Sequence, residues 1–433
     1  MRVCGVYFVF VILLSACTNG VSHLDIALQQ AKHNKAELEK VLKHFKHDSL
    51  KYRAACFLIE NMPGKYSILP YDSLDRYKNF LKIIPQNDPI SWDVRYSKIW
   101  HGFDSISKRQ LAGFSKIEDI KVITGDYLIK NIEYSFKIWE NGKIKDYCSF
   151  DEFCHYILPY RIDHEPLSNW REEGFQKFGH LLDSLMSPRE LALRIIKLGG
   201  MRYNIGMTKY PYKQSYAEML QTRWGTCDDM AAFLALSLRA IGIPASIDYV
   251  PAWANRSSSH CWNVVKDATG DFIEVGYGPE GKNEVVYKIS KIYRKKYDIP
   301  LCDVTSEYAM PLSDLTFRVP SQKDKQLISL CTFNNHDWVP VALSKVMNGS
   351  VLFESVGRGI LWGDNQIRTY LNEGKGIVFL AFISQKGRLN NKPIGFPVIL
   401  LEDGTIKELC ASTEKESIIP VSYTHLTLPT ILR

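Results

Sequence analysis

The sequence predicts an α+β fold, with a mainly helical region in front and an antiparallel β-sandwich behind, and three patterns met in chain order predict it. Apolar residues recur at helical spacing through residues 22–61, after Ser187 and after Cys227. Short strand-like runs then follow at 245–250, 260–265 and 272–275, and past about residue 310 the period changes to two. The organisation expected is a leader over 1–17, a helical region over 18–165, a core over 166–300, a sandwich over 310–420, and a tail at 421–433 expected not to be native.

The leader opens on Met1-Arg2, continues as a mostly apolar run from Val3 to Leu14, and ends Leu14-Ser15-Ala16-Cys17. A basic start, a short apolar stretch and small residues before the cut describe a signal peptide; the run is too short for an ordinary membrane span. Leu-Ser-Ala-Cys resembles the bacterial lipobox, whose cysteine becomes the acylated mature N-terminus. Cys17 is therefore the expected lipidation site, and the cell envelope the expected location, with a lipid anchor in the outer membrane facing the periplasm as the default.

About 416 residues remain after that cut, enough for two or three domains. The formal charge of +7 is modest and spread along the chain, which argues against a nucleic-acid partner. Ten cysteines in so long a chain are not a disulfide scaffold, although Cys148 and Cys154 are spaced to pair in an oxidising compartment. No metal-ligand spacing and no cofactor fingerprint is present, so neither is expected; His336-Asp337 reads as a turn.

In the helical region, Asn34 with Glu37 three residues on reads as a cap ahead of Leu38, Val41, Leu42 and Phe45, and Met62-Pro63-Gly64 closes the stretch. Residues 65–165 lack a clean period and read as mainly helical or irregular. Ser187-Pro188-Arg189-Glu190 combines an N-cap serine, a first-turn proline and a capping-box glutamate, and Gly199-Gly200 ends that helix. The next helix begins near Cys227 and stops at Gly242 and Pro244. Met310–Pro320 reads as a linker, after which Asn348-Gly349 and Asp403-Gly404 mark hairpin turns.

A thiol attacks as thiolate, so a catalytic cysteine favours the positive end of a helix and a nearby imidazole. Trp224-Gly225-Thr226-Cys227-Asp228-Asp229 puts Cys227 at a helix start, with free backbone N–H groups beside it; Asp228 and Asp229 oppose a thiolate if they face it, and so are expected to act as caps or ion-pair partners. His260 opens a strand in which alternation places His260, Trp262 and Val264 on one face, expected to be the face against the helix. Trp224 and Trp253 are candidate walls of a cleft.

Several of these segments together resemble the transglutaminase-like superfamily of cysteine-nucleophile, papain-like proteins. In that family Gly-x-Cys opens a helix ending Arg-Ala-x-Gly-Ile-Pro-Ala, present here as Arg239-Ala240-Ile241-Gly242-Ile243-Pro244-Ala245, and a His-x-Trp strand follows, present as His260-Cys261-Trp262. The resemblance covers residues 187–280 and implies an acyl-transfer centre with Cys227 as nucleophile, His260 as base and acid, and backbone N–H groups at 226–227 as oxyanion donors. The family's third member is an aspartate on the next strand, and here the chain departs from it: Gly276 stands at that spacing. Glu274 is the substitute named if the hairpin register shifts by two, with Asp271 and Asp248 behind it. The resemblance implies an amide substrate, either a peptide bond or a glutamine side chain, with water or an amine as acceptor; hydrolysis is preferred because water at high concentration wins unless a site excludes it. The other reading is a catalytically degenerate envelope protein that binds a cell-envelope glycan or peptidoglycan peptide.

Overall fold

The computed structural model describes residues 22–68, 116–141, 143–203, 213–283, 285–299, 301–319, 324–334, 337–362, 376–385 and 388–410. The leader with Cys17, the tail at 421–433 and His336 lie outside the described residues.

Three helices, His23–Gln30, Lys35–Phe45 and Ser49–Glu60, open the chain, and Gly125–Asn141 and Phe150–Tyr156 pack with them around Leu38, Leu58, Ile132, Phe136 and Phe153. Between them Tyr66–Ile68 pairs antiparallel with Lys116–Glu118. Asn34 and Glu37 do not make the cap expected of them: the Asn34 amide donates to the carbonyls of Ile120 and Ile123 at 3.2 and 2.9 Å, and Glu37 Oε2 accepts from the Gly125 N–H at 2.6 Å. Both side chains serve a segment some ninety residues away, whose backbone groups would otherwise be buried unpaired.

The middle of the chain is a five-stranded antiparallel sheet in the order Cys302–Asp303, Tyr293–Arg294, Ala245–Val250, His260–Lys266, Phe272–Val275. One face carries the Cys227–Ala240 helix, with Trp170–Phe178, Pro188–Gly199 and Tyr216–Thr222 around it, in a core built on Phe178, Ile195, Tyr216, Phe233 and Val265. The capping box at Ser187 forms as expected, and Gly200 ends that helix at φ 64°. The other face packs Val250, Trp262 and Val264 against Ile289, Ile292, Val304, Tyr308 and Leu361.

Arg171 joins the helical region to this core. Its guanidinium, fully buried, donates to Asn131 Oδ1 at 2.6 Å and to the carbonyls of Ile157, Leu158, Pro159 and Arg239. Burial, with the neighbouring Arg239, pulls it down to about 9, as expected of a cation held only by neutral acceptors.

The C-terminal part is two antiparallel sheets over one core of Leu315, Phe317, Leu330, Phe353, Phe379 and Leu400. The larger runs Trp338–Lys345, Leu327–Phe333, Ile377–Gln385, Arg388–Leu400, Ile406–Glu408. The smaller corrects the expected linker, because Leu312–Arg318 is a strand paired antiparallel with Ser350–Gly357. Leu315 and Phe317 point into the core while Thr316 and Arg318 face out, an alternation hidden between two prolines. Asn348 and Gly349 both take positive φ, 51° and 69°, as their hairpin turn requires. All eight cysteines after the leader are free thiols, Cys148 and Cys154 included.

Candidate active site

Cys227 is the first residue of its helix, and the turn that delivers it is built from the four residues around it. Thr226 is the N-cap: its hydroxyl accepts from the Asp229 N–H at 3.3 Å, while Asp229 Oδ2 accepts from the Thr226 N–H and hydroxyl, both at 2.9 Å. Gly225 is required here, since a Cβ on it would lie 2.5 Å from the Asp229 Cβ. Tyr277 donates to the Met230 carbonyl at 2.6 Å and fixes the first turn to the sheet. The two acids that seemed to oppose a thiolate are thus both engaged: Asp229 in the cap, and Asp228 with Lys213 at 3.5 Å.

The sheet face against the helix is that of Cys261, Asn263 and Val265, not that of His260. Cys261 and Val265 lie in the helix core, and the Asn263 amide donates to the Ala231 carbonyl at 2.8 Å. His260 belongs to the opposite face, with Trp262. As the strand's first residue it stands at the end of the sheet, close enough to Cys227 for its imidazole to lower the thiol. Three indoles hold the ring: Trp253 stacks on it at 5.7 Å, Trp262 lies at 6.0 Å, and Trp362, from the C-terminal part, stands edge-on at 6.2 Å.

Hydrogen bonding from the Cys261 thiol lowers the Cys227 thiol most; against burial, and with help from His260, the result is about 5. Cys261 is driven the opposite way, well above a thiol's ordinary value, by that same contact and by burial. Its Sγ also reaches Asp228 Oδ1 at 3.5 Å. Of the two thiols, Cys227 is therefore the one driven toward the anion, while the Cys261 S–H donates to Asp228. Burial and the Cys227 charge raise the phenol of Tyr203.

Glu274 does not orient the imidazole. It faces Val264 across the ladder, four residues along from His260 and so about 13 Å down the strand, beyond a glutamate's reach. Its Oε2 instead accepts from the Trp362 indole N–H at 2.8 Å and from the Asn283 amide at 3.2 Å, and burial raises it. The register therefore does not make the shift that would have brought Glu274 to His260.

The alternatives are engaged elsewhere. Asp271 is exposed in the 267–271 turn, and Asp248, wholly buried, takes a two-pronged contact from Arg294 at 2.9 Å and the Tyr308 hydroxyl at 2.7 Å. The Trp262 indole donates to that same hydroxyl at 2.9 Å. At Gly276, where the acid was expected, a Cβ would lie 2.5 Å from Asn283 Oδ1 and 2.8 Å from the Lys282 carbonyl. The Asn283 carboxamide fills the room that an aspartate there would need.

The sequence reading missed Cys261, Lys213, Asn283 and Trp362. Alternation places Cys261 opposite His260 in facing, but which face meets the helix is settled only by the packing; the other three arrive from distant segments and leave no local trace.

Residues 180–276 match the profile of the transglutaminase-like superfamily. No curated protein matches the chain. Two solved structures resemble part of it: a "putative cysteine protease" from Cytophaga hutchinsonii, 14% identical with a TM-score of 0.21, and a "putative protease" from Parabacteroides distasonis, 12% identical with a TM-score of 0.23. Each likeness covers 45% of this chain, and the chain spans about half the length of each, 51% and 49%. The segment that sets a cysteine at a helix start beside a histidine at a strand start is the one that matches the transglutaminase-like superfamily.

Proposed function

We propose that this core is an acyl-transfer centre that hydrolyses an amide in a peptide or protein. The observation that carries the reading is the placing of the Cys227 thiol at a helix N-terminus beside His260, surroundings that lower the thiol. In the mechanism proposed, Cys227 Sγ adds to the amide carbonyl carbon, and the oxygen takes the negative charge against the backbone N–H of Cys227 at the positive end of the helix. His260, as imidazolium, gives its proton to the departing amine, leaving an acyl-thioester. His260 then takes a proton from water, the hydroxide adds to the thioester, and the thiolate leaves with the acid product. Water is the acceptor preferred because its high concentration lets it win unless a site excludes it.

The test is a peptide-like thiol-directed inhibitor followed by intact and peptide mass analysis. Adduct on Cys227, lost in His260→Ala, supports the reading; adduct only on Cys56, Cys302 or Cys410 overturns it.

A second reading, a binding-only domain in the envelope, draws on one observation: the carboxylate nominated for the imidazole is committed to Trp362 and Asn283. Absence of turnover on any peptide, with saturable binding of peptidoglycan fragments, would favour it. We further propose that Cys17 carries the lipid that holds the protein at the membrane. Cys17→Ser is expected to move it from the membrane pellet to the soluble fraction, and a variant still in the pellet after a salt wash would count against the anchor.

A further inference from the structure

Between the helical region and the core lies a cavity of about 340 Å³ whose lining includes none of the residues of the thiol site. That volume is in the range of small-molecule sites. Five cationic side chains line it, and their partners divide them. Arg161 is matched by Asp119, at 2.7 and 2.8 Å, and Lys295 by Asp163 at 3.2 Å. The other three have no carboxylate within ion-pairing distance among the described residues. The Lys65 ammonium donates to the Tyr297 carbonyl at 2.7 Å, the Arg239 guanidinium to the Ala245 carbonyl at 2.8 and 2.9 Å, and Lys296 lies 6.0 Å from the Tyr156 ring.

No lining acid forms an ion pair with these three, although Asp298 and Glu165 lie near enough to Lys65 to favour its charge. Asp163 is shared by Lys295, Lys213 and His164, and Asp298 lies 3.2 Å from His155 Nδ1. Glu60 is left at the wall, and burial raises its carboxyl, which weakens it as a counter-ion. Burial, with Arg161 beside it, brings Lys65 down to about 8, and burial brings Arg239 down to about 9. Two cations so placed are less stable charged than in water, a cost that a bound anion would remove. Aromatic surface completes the wall: Tyr66 stacked on His164 with ring centres 4.0 Å apart, together with Tyr249 and Tyr297.

We propose that this cavity is a binding site for a small organic anion, whose carboxylate or phosphate group is received by Lys65, Arg239 and Lys296 and whose body lies along the tyrosines. The site is independent of the thiol chemistry, so it survives the loss of Cys227.

The test is calorimetric titration of the whole protein and of Cys227→Ala with citrate and, separately, with inorganic phosphate, at an ionic strength held constant with chloride. Saturable binding of either anion at one site in both proteins is expected, and the tighter of the two identifies the anionic group. Lys65→Met and Lys296→Met should each weaken it about tenfold or more, the scale of one charge-assisted hydrogen bond, while leaving the alkylation rate of Cys227 unchanged. Lys296→Met, a half-buried position, guards against a folding failure at Lys65. No saturable binding of either anion, or binding that both substitutions leave intact, would overturn the proposal.

Discussion

Cys227 owes its low thiol value first to Cys261 and only then to His260, an order that gives distinct expectations for the two neighbours. An acid whose value falls to about 5 is ionised above that pH, so the rate of iodoacetamide labelling should already stand near its plateau at pH 6 and fall by half near pH 5. Cys261→Ala should carry that midpoint upward by more than His260→Ala does, both variants remaining folded. An unchanged midpoint in Cys261→Ala would show that the second thiol does not support the charge. The pairing of Cys227 with His260 was readable from the motif. Cys261 was not, because a cysteine beside a histidine looks like any small core residue until its facing is known. Gly276 teaches the complementary point: its lack of a side chain is readable in the chain, but the filling of the vacant space by Asn283 is not. Putting back the acid with Gly276→Asp should therefore cost about 1–3 kcal/mol, the scale of an overpacked site, in urea unfolding; no loss would mean that Asn283 moves aside freely.

Local signals told the truth about elements where no distant segment competed for the capping side chains. Ser187 with Glu190, and Thr226 with Asp229, are reciprocal caps within one turn. Thr226→Ala should lower stability by about 1 kcal/mol in denaturant titration, and an unaltered midpoint would show the cap to be redundant with the Tyr277 contact. Asn34 and Glu37 have the same spacing and chemistry, yet they serve residues 120–125, because a buried segment without its own partners outbids a helix end that water can satisfy. Leu312–Arg318 failed for the opposite reason: its alternation is regular, but flanking prolines, themselves compatible with an edge, hid it. Trp362 shows what no element-level reading supplies, since its indole N–H comes from the turn after Gly359–Ile360 to a strand 88 residues earlier. Trp362→Phe should keep the edge-on ring against His260 but strand one bond of Glu274, lowering stability by about 1–3 kcal/mol; equal unfolding curves would show that the carboxyl finds another donor.

At the scale of the molecule, the succession of helical region, core and antiparallel sheets was legible because each part has its own hydrophobic period. How the parts complete one another was not. The packing of the first helices includes Tyr297, whose hydroxyl donates to the Leu58 carbonyl at 3.2 Å across 239 residues, and Lys65 meets the Tyr297 carbonyl across 232. The ribosome therefore releases the opening helices long before the tyrosine that plugs them has been made. Until then they have helix-forming sequence and an open socket, and contacts this far apart are slow to close. A fragment of residues 22–165 should show helical circular dichroism but melt without a sharp transition, whereas a cooperative melt would mean that Tyr297 is dispensable. The nascent chain thus has a long interval in which its first part is exposed to proteases and chaperones, and the arrival of a single aromatic side chain from the far edge of the sheet ends it.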